Sequence, residues 1–165
     1  MDSLELGGAL ASRAARPLGD FCAIDRAMQV VGQRTTMLLL REAFYGERRF
    51  DGFATRTGIT EAAAAKRLKE LLAAGLLEKE PYQEPGQRTR HEYVLTEKGA
   101  AILPAVLALL QWGNAYVEAG EWSDTTLSHS GCGADVEVVT RCAAGHVVPA
   151  GELRVSATRL RPPQA

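Results

Sequence analysis

Two groups of residues in this 165-residue chain have side chains that could bind a ligand. The first consists of two pairs of arginines, Arg48 with Arg49 and Arg88 with Arg90. Guanidinium groups match the geometry of phosphate oxygens, so these residues could bind phosphate. The second is a set of four cysteine and histidine residues near the C-terminus: His129, Cys132, Cys142 and His146. The first set suits contacts with phosphate groups, and the second suits metal ligation.

The C-terminal set has the residue types of a tetrahedral zinc site. Four ligands of the Cys2His2 kind are sufficient for structural zinc. The two pairs are H-x-x-C and C-x-x-x-H, and they lie closer together in the chain than the pairs of a C2H2 finger. Zinc is therefore a candidate cofactor, and a metal-free β-hairpin that keeps remnants of such a site is the alternative.

The composition is that of a globular protein, with 46% hydrophobic and 24% charged residues. The net charge of −1 excludes a polybasic protein that coats nucleic acid, and residues 45–95 hold nine basic against eight acidic residues. DNA binding must therefore depend on where the basic residues are placed. Three cysteines do not make a disulfide scaffold, and we expect a cytoplasmic protein because no signal or membrane-spanning pattern occurs.

No residue pattern points to an enzyme. The sequence has no Ser/His/Asp order, no phosphate-binding loop and no carboxylate pair at catalytic spacing. His91 has no evident nucleophile near it in the sequence. We therefore expect a binding protein rather than a catalyst.

Composition and periodicity divide the chain into four parts. Residues 1–19 are expected to be a flexible arm, and residues 20–120 a folded domain. Residues 121–156 are predicted as a small β module that has the candidate zinc ligands, and residues 157–165 as a disordered tail.

The elements of the main domain are predicted from apolar periodicity and from capping and turn residues. They are helices over 20–31, 34–44, 51–57 and 61–74, strands over 76–82 and 91–95, and a long helix over 97–118. Pro104 is expected to bend this last helix or to mark its first turns. Two helices joined by a tight turn and followed by a β-hairpin are typical of a winged helix-turn-helix, a mostly α fold with a small β wing.

The helix over 61–74 is predicted to enter the DNA major groove. With Leu68 on the core side, Ala62, Ala63 and Lys66 point outward, and Arg67 and Lys69 lie on the flanks. Thr60 and the first backbone N–H groups suit a phosphate. Because alanine donates no side-chain hydrogen bond, this helix should read few base edges directly. The alternative is an ordinary solvated helix face that does not contact DNA.

The hairpin is predicted to supply a second DNA contact. Arg88 and Arg90 should point to the same side of a regular strand, and Arg48 and Arg49 add basic charge before the third helix. Arginines at a hairpin tip can contact phosphates or enter the minor groove.

Several segments resemble the HxlR family of bacterial transcription regulators. They are VGQRTTMLLLREAFYGERRF (31–50), GITEAAAAKRLKELLAAGLLEKEPY (58–82) and RHEYVLTEKGAAILPAVLALLQWG (90–113), with Cys22 ahead of them. The resemblance implies a winged helix that forms a homodimer, usually through its first and last helices, and binds palindromic operator DNA.

One residue departs from the family pattern. The family usually has a tryptophan in the G-x-x-W part of the second helix, where this chain has Thr35. The missing indole would leave space near Thr35, Met28 and Trp112, which we consider a candidate effector pocket, with compensating packing as the alternative.

Two further expectations rest partly on the resemblance. Some family members sense oxidants or electrophiles through a cysteine at the position of Cys22, and a helix N-terminus lowers a thiol pKa, so Cys22 is a candidate redox sensor beside the alternative of a buried thiol. The segment from His129 to His146 resembles a small hairpin module of some actinobacterial-type members, which have C-x-x-C-G where this chain has Cys142 and Gly145.

The sequence therefore predicts a DNA-binding transcription regulator, expected to repress as a homodimer on a palindromic operator and to respond to a small molecule or to thiol oxidation. The alternative is a winged helix used only for protein–protein contact. That alternative predicts no salt-dependent binding to promoter DNA.

Overall fold

The computed structural model describes residues 4–11, 22–118 and 125–157. The chain divides into two compact units, one formed by Ala27–Thr126 and the other by Met1–Arg26 with Leu127–Ala165. No helix in the described ranges is both long and apolar enough to cross a membrane.

The larger unit contains most of the helices and one β-hairpin. Its elements are α1 (Ala23–Val31, which begins in the other unit), α2 (Arg34–Phe44), α3 (Phe50–Thr57), α4 (Glu61–Ala73), β2 (Leu77–Tyr82), β3 (Arg90–Leu95), α5 (Glu97–Ala100) and α6 (Leu103–Tyr116). The strands β2 and β3 pair antiparallel, with Leu77 opposite Leu95 and Tyr82 opposite Arg90. This order confirms the predicted fold, which is mostly α with a β-hairpin after a helix-turn-helix.

The hydrophobic core lies where α2, α3, α4 and the base of the hairpin meet. Its largest fully buried side chains are Phe53, Leu39, Leu40, Leu68 and Leu71. The helical spacing of Leu68 and Leu71, with Ala64 one turn earlier, places one face of α4 in this core, as predicted. Leu72, expected on the same face, is only partly buried.

The corner between α4 and β2 is bound to the segment that follows the hairpin. The Thr96 hydroxyl donates to the Gly75 carbonyl at 2.7 Å, and Lys98 Nζ donates to the Ala74 carbonyl at 2.6 Å. Thr96 N donates to the Leu76 carbonyl at 3.1 Å. A Cβ on the buried Gly99 would lie 2.0 Å from the same Leu76 oxygen, so only glycine permits this approach.

The tip of the hairpin is a tight turn over residues 84–87. Gln87 N donates to the Glu84 carbonyl at 3.0 Å, and Gly86 has a φ of 75° directly after Pro85. This order of proline and a positive-φ glycine is that of a type II turn. The turn prediction from Pro85-Gly86 is confirmed.

The long helix predicted over 97–118 is interrupted. α5 ends at Ala100 and α6 begins at Leu103, with Pro104 in its first turn. Proline is tolerated there because the first turn has no intrahelical acceptor for its missing N–H. The other predicted helix bounds agree to within one residue, apart from α1, which begins at Ala23; the predicted start at residue 20 lies outside the described residues.

The smaller unit corrects the prediction of a flexible arm over residues 1–19. The strand β1 (Glu5–Gly8) pairs parallel with β4 (Arg154–Ala157), and Glu5 forms an ion pair with Arg154 that holds the pKa of Glu5 below its usual value. The arm prediction is therefore wrong for residues 5–8, and the predicted tail is wrong for Ala157. The rest of that tail, 158–165, lies outside the described residues. The pattern of residues 1–19 had no sustained period, because a four-residue strand that includes two glycines carries no alternation to detect.

The described residues of the smaller unit also include two short turns within 128–147 and a 3-10 helix (Ala150–Glu152). Isolated antiparallel bridges join Ser128 to Asp135 and Arg141 to Val147. Gly133 and Gly145 take positive φ values of 72° and 89° inside these turns. The described residues of the predicted β module thus form two hairpin-like turns.

The close approach at Gly99 generates a stability prediction. Replacing a helical glycine by alanine usually stabilises a protein, by roughly 0.5–1 kcal/mol. We expect Gly99→Ala instead to destabilise the fold by about 1–3 kcal/mol, because its Cβ overlaps the Leu76 carbonyl. Urea unfolding followed by circular dichroism measures the difference.

The matched control is Gly113→Ala in α6, where an added Cβ has no atom within 4 Å. We expect this variant to be at least as stable as the parent chain. Equal stability of the two alanine variants would contradict the proposed role of Gly99 at the α4–β2 corner.

Candidate nucleic-acid interface

The helix-turn-helix consists of α3, the turn Gly58–Thr60 and α4. Gly58 ends α3 in the left-handed region with a φ of 64°, which reverses the chain within three residues. Thr60 caps α4, and its hydroxyl accepts a hydrogen bond from Ala63 N at 3.2 Å. The core packing of Leu68 and Leu71 holds α4 with its opposite face in solvent.

The cap modifies what was expected of Thr60. Its hydroxyl oxygen accepts from Ala63 N and orders the helix start, while its O–H can still donate to a phosphate oxygen. The first turn also contains Glu61, whose carboxylate is stabilised by the helix N-terminus but repels a phosphate. A phosphate contact at this point remains a prediction.

The exposed face of α4 differs from the predicted face at two residues. Ala62, Lys66 and Lys69 are exposed, as expected. Ala63 is partly buried, and the Arg67 side chain is only 17% exposed and forms an ion pair with Glu70. The helical-wheel estimate missed this because Arg67 lies next to the buried edge of the helix, where its aliphatic stem is covered.

Arg48 and Arg49 are exposed, but both bind carboxylates of the hairpin. Arg48 Nη1 is 3.0 Å from Glu92 Oε1, and Arg49 Nη2 is 2.7 Å from Glu84 Oε1. The guanidinium of Arg49 also lies 4.6 Å from the centre of the Tyr82 ring, and Glu84 holds the pKa of Arg49 above its usual value. These arginines therefore connect the start of α3 to both strands of the hairpin. The sequence predicted that Arg48 and Arg49 bind phosphate, and it did not predict their ion pairs with Glu92 and Glu84.

Glu47 organises the same loop and was not singled out from the sequence. Its Oε1 accepts hydrogen bonds from the backbone N–H groups of Arg48 and Arg49, each at 2.9 Å. Its Oε2 accepts from Arg56 Nε at 2.8 Å, and a Cβ at Gly52 would lie 2.1 Å from this carboxylate. The run G-E-R-R-F-D-G contains the signal, because an acid before a helix start is suited to cap its free N–H groups.

The hairpin is also bound to this loop through its backbone. Tyr93 N donates to the Arg48 carbonyl at 2.8 Å, and the Tyr93 ring meets Phe53 edge-on with ring centres 6.0 Å apart. Burial raises the pKa of Tyr93. The segment that leads into α3 at Phe50 therefore contacts β3.

Arg88 and Arg90 are exposed on the hairpin. Arg90 begins β3, whereas Arg88 lies in the irregular segment after the turn. The two-residue alternation used to place both on one side therefore does not apply to Arg88.

The ion pairs divide the candidate DNA contacts into two sets. Arg48, Arg49 and Arg67 are paired with glutamates. In the described part of the chain, five exposed cations on α4 and the hairpin have no ion pair within 4.0 Å. Lys79 lies over the Tyr93 ring, 5.6 Å from its centre, and the other four are Lys66, Lys69, Arg88 and Arg90. These four are the groups with charge available for phosphate.

The other predicted sites in this part of the chain are the redox sensor Cys22 and the effector pocket near Met28, Thr35 and Trp112. Cys22 directly precedes α1, is partly buried and forms no disulfide, and its carbonyl accepts from Arg26 N. Met28 and Trp112 are more than half exposed, and Thr35 is partly buried. A cavity of about 410 Å³ between α2 and α6 is lined by none of Met28, Thr35 and Trp112.

The predicted zinc ligands are not brought into one group. His129 Nδ1 lies 3.1 Å from Cys132 Sγ in the first turn of the smaller unit. In the second turn, Cys142 and His146 are joined by a backbone hydrogen bond. Residues 4–11, 22–118 and 125–157 contain no group of three or more His, Cys, Asp or Glu side chains that could hold a metal ion. In this arrangement the four residues do not fit a tetrahedral Cys2His2 site.

Comparison with known proteins agrees with this geometry. The profile of HxlR-like helix-turn-helix proteins matches residues 30–121. The chain is similar to the HTH-type transcriptional regulator Rv3095 of Mycobacterium tuberculosis (strain ATCC 25618 / H37Rv), with 38% identity over 122 residues, 72% of this chain and 76% of the relative.

Two solved structures resemble this one. The crystal structure of PA1607, a candidate transcription factor, aligns with a TM-score of 0.73 and 32% identity over 84% of this chain and 96% of that chain. The redox regulator HypR in its reduced form aligns with a TM-score of 0.51 and 28% identity over 57% of this chain and 92% of that chain. These relatives are regulators of transcription and not enzymes, which confirms the expectation that this chain is no enzyme. With a matched helix-turn-helix, a hairpin wing and exposed cations on both, the chain belongs to the HxlR-like helix-turn-helix family of DNA-binding transcriptional regulators.

Proposed function

We propose that this regulator represses transcription as a homodimer that binds a palindromic operator through α4 and the hairpin. The observation that carries the proposal is the placement of unpaired cations. Lys66 and Lys69 lie on the exposed face of α4, and Arg88 and Arg90 lie on the hairpin that follows it. A repressor of this kind acts in the cytoplasm, at the bacterial chromosome.

The proposed DNA contacts follow from the chemistry of each surface. The exposed part of α4 offers Ala62, Lys66 and Lys69 to the major groove, with few hydrogen-bond donors for base edges. Arg88 and Arg90 supply phosphate or minor-groove contacts, so DNA shape should contribute to specificity. Arg48 and Arg49 act mainly by positioning the hairpin, because Glu92 and Glu84 already bind them.

The homodimer is supported by apolar side chains that one protomer leaves in water. None of the fourteen described residues of α6 is buried, although the helix is strongly apolar. Leu109, Trp112 and Tyr116 are 56%, 58% and 77% exposed, and Met28 on α1 is 54% exposed. Contiguous exposed apolar surface on a folded chain is typical of a protein interface. We propose that α1 and α6 form the dimer contact.

The position of Cys22 supports a proposal for control. The thiol forms no disulfide and lies at the N-terminal end of α1. Oxidation or alkylation there would place a new group beside the proposed dimer helix. We therefore propose thiol modification as one route to DNA release.

The exposed arginines of the hairpin give the first test of DNA binding. Each phosphate contact contributes about 0.9 to the slope of log affinity against log salt. For a dimer, the variant Arg88→Ala/Arg90→Ala removes four such contacts, so we expect the slope to fall by about 3 to 4. Fluorescence anisotropy with the chain's own upstream DNA at several salt concentrations measures it.

The matched control removes the same charge from the smaller unit, with Arg141→Ala/Arg154→Ala. We expect its salt dependence to equal that of the parent chain. An unchanged slope in the hairpin variant would argue against phosphate contacts by Arg88 and Arg90. Complete absence of salt-dependent binding by the parent would favour a protein–protein module.

The proposed dimer contact is tested with charges on α6. We expect Leu109→Glu/Trp112→Glu to weaken dimerisation by at least about a hundredfold, because truncating or charging a buried anchor residue costs about 2 kcal/mol or more. Analytical ultracentrifugation measures the mass in solution. The control is Val147→Glu, which is 58% exposed in the smaller unit and should leave the mass unchanged. A dimer that survives the double charge substitution would place the interface elsewhere.

A further inference from the structure

The cavity between α2 and α6 has the size and lining of a small-molecule site. Its volume of about 410 Å³ lies within the range of ligand pockets. Met37 and Leu38 on α2 face Val106 and Leu110 on α6 across it, so most of its wall is apolar. All of its lining residues belong to the larger unit.

Two polar side chains at the cavity are held by hydrogen bonds: Asn114 Nδ2 donates to the Thr125 carbonyl at 2.7 Å, and the guanidinium of Arg41 is held by Glu42. Arg41 lines the cavity, and its Nε and Nη2 donate to Glu42 Oε1 at 2.8 and 2.5 Å. The Glu42 side chain is only 7% exposed, so it holds the guanidinium from the protein side. The hydrogen bonds of the described residues leave Nη1 of Arg41 without a protein acceptor.

The pairing of Arg41 with Glu42 decides the charge of a suitable ligand. The ion pair is neutral as a unit, and a negatively charged ligand would lie close to the Glu42 carboxylate with no charge left to compensate it. An uncharged ligand with one acceptor oxygen can accept from Nη1 of Arg41 without this repulsion. The chemistry therefore favours an uncharged, largely apolar molecule that carries a carbonyl group, of which an aromatic ketone is one example.

Gly113 contributes an independent observation. It lies in the last part of α6 and lines the cavity, and a Cβ built on it has no atom within 4 Å. Glycine inside a helix is less favourable than alanine. Neither a positive φ nor a close contact within the described chain requires glycine here, in contrast to Gly99. Its missing side chain leaves the cavity wider.

We propose that this cavity binds an uncharged aromatic ketone or a similar molecule, with its carbonyl oxygen accepting a hydrogen bond from Arg41. The bound molecule would bridge α2, which supplies Leu39 and Leu40 to the core, and α6, which has no buried residue. Ligand binding therefore couples the DNA-binding core to α6. This coupling rests on the proposed function, whereas the binding site itself does not.

The experiment uses the full chain without DNA and the neutral naphthyl ketone Prodan as the probe, since its emission shifts to the blue in an apolar site. Three competitors of similar shape then displace it: 2-acetonaphthone, 2-ethylnaphthalene and 2-naphthoate. We expect the ketone to compete at least about tenfold better than the hydrocarbon, because a hydrogen bond to a charged donor is worth that factor or more. The anion should compete least well.

Gly113→Leu tests the location without removing a core side chain. The added side chain should fill the cavity and abolish the Prodan shift, while Ala100→Leu, an exposed helical substitution outside the cavity, should leave it unchanged. Circular dichroism confirms that both variants are folded.

Three results would overturn the proposal. They are a Prodan shift that survives Gly113→Leu, an anion that competes as well as the ketone, and dissociation of the dimer by Gly113→Leu. The last result would show that a second copy of the chain occupies the groove.

Operator affinity is measured separately with and without 2-acetonaphthone, where a change of at least about fivefold is expected for a coupled site. Ligand binding without such a change would reject the coupling and retain the site.

Discussion

The position of the hairpin depends on hydrogen bonds to three consecutive carbonyl groups at the end of α4. Lys98, the Thr96 hydroxyl and the Thr96 amide bind the carbonyls of Ala74, Gly75 and Leu76 in turn. Carbonyls at a helix end have no partner within the helix, so an unmet group here would cost free energy. Because Thr96 directly follows β3, these bonds fix the hairpin relative to α4. The motif L-T-E-K-G (95–99) therefore holds the hairpin at a fixed position relative to α4.

The ion pairs between the start of α3 and the hairpin support the same geometry from the other side. Arg48 and Arg49 reach Glu92 and Glu84, which lie on different arms of the hairpin. Exposed ion pairs of this kind contribute little stability one at a time, so their effect is mainly on orientation. They also explain how a chain with a net charge of −1 can expose unpaired cations on α4 and the hairpin. The glutamates neutralise the arginines that position the hairpin, and the cations of α4 and the hairpin tip remain.

The helix α6 combines two surfaces that serve different proposed roles. Leu109, Trp112 and Tyr116 expose apolar area suited to a second protomer. Val106, Leu110 and Gly113 line the cavity beside α2, and Leu109 borders both surfaces. Since both surfaces belong to one helix, a ligand that shifts α6 relative to α2 would also shift the dimer contact. This arrangement connects the proposed ligand site to the spacing of two DNA-binding helices.

Local patterns in the sequence were sufficient for the fold of the larger unit. The period of Ala64, Leu68 and Leu71, the cap at Thr60 and the turn at Pro85-Gly86 each depend on residues close together in the chain, so helix-turn-helix and hairpin could be predicted. The same holds for the exposed lysines of α4. The family resemblance added the expectation of DNA binding, which the matched profile confirms.

Only the tertiary structure decided which charges are available and which segments pair. Arg49 meets Glu84 across 35 residues, and Glu5 meets Arg154 across 149, distances at which neither spacing nor periodicity carries a signal. For the same reason β1 was not predicted, and the four candidate zinc ligands could not be assigned to one group or two. Partner choice over such separations is set by the packing of the whole chain, because the core determines which surface side chains come within hydrogen-bond distance.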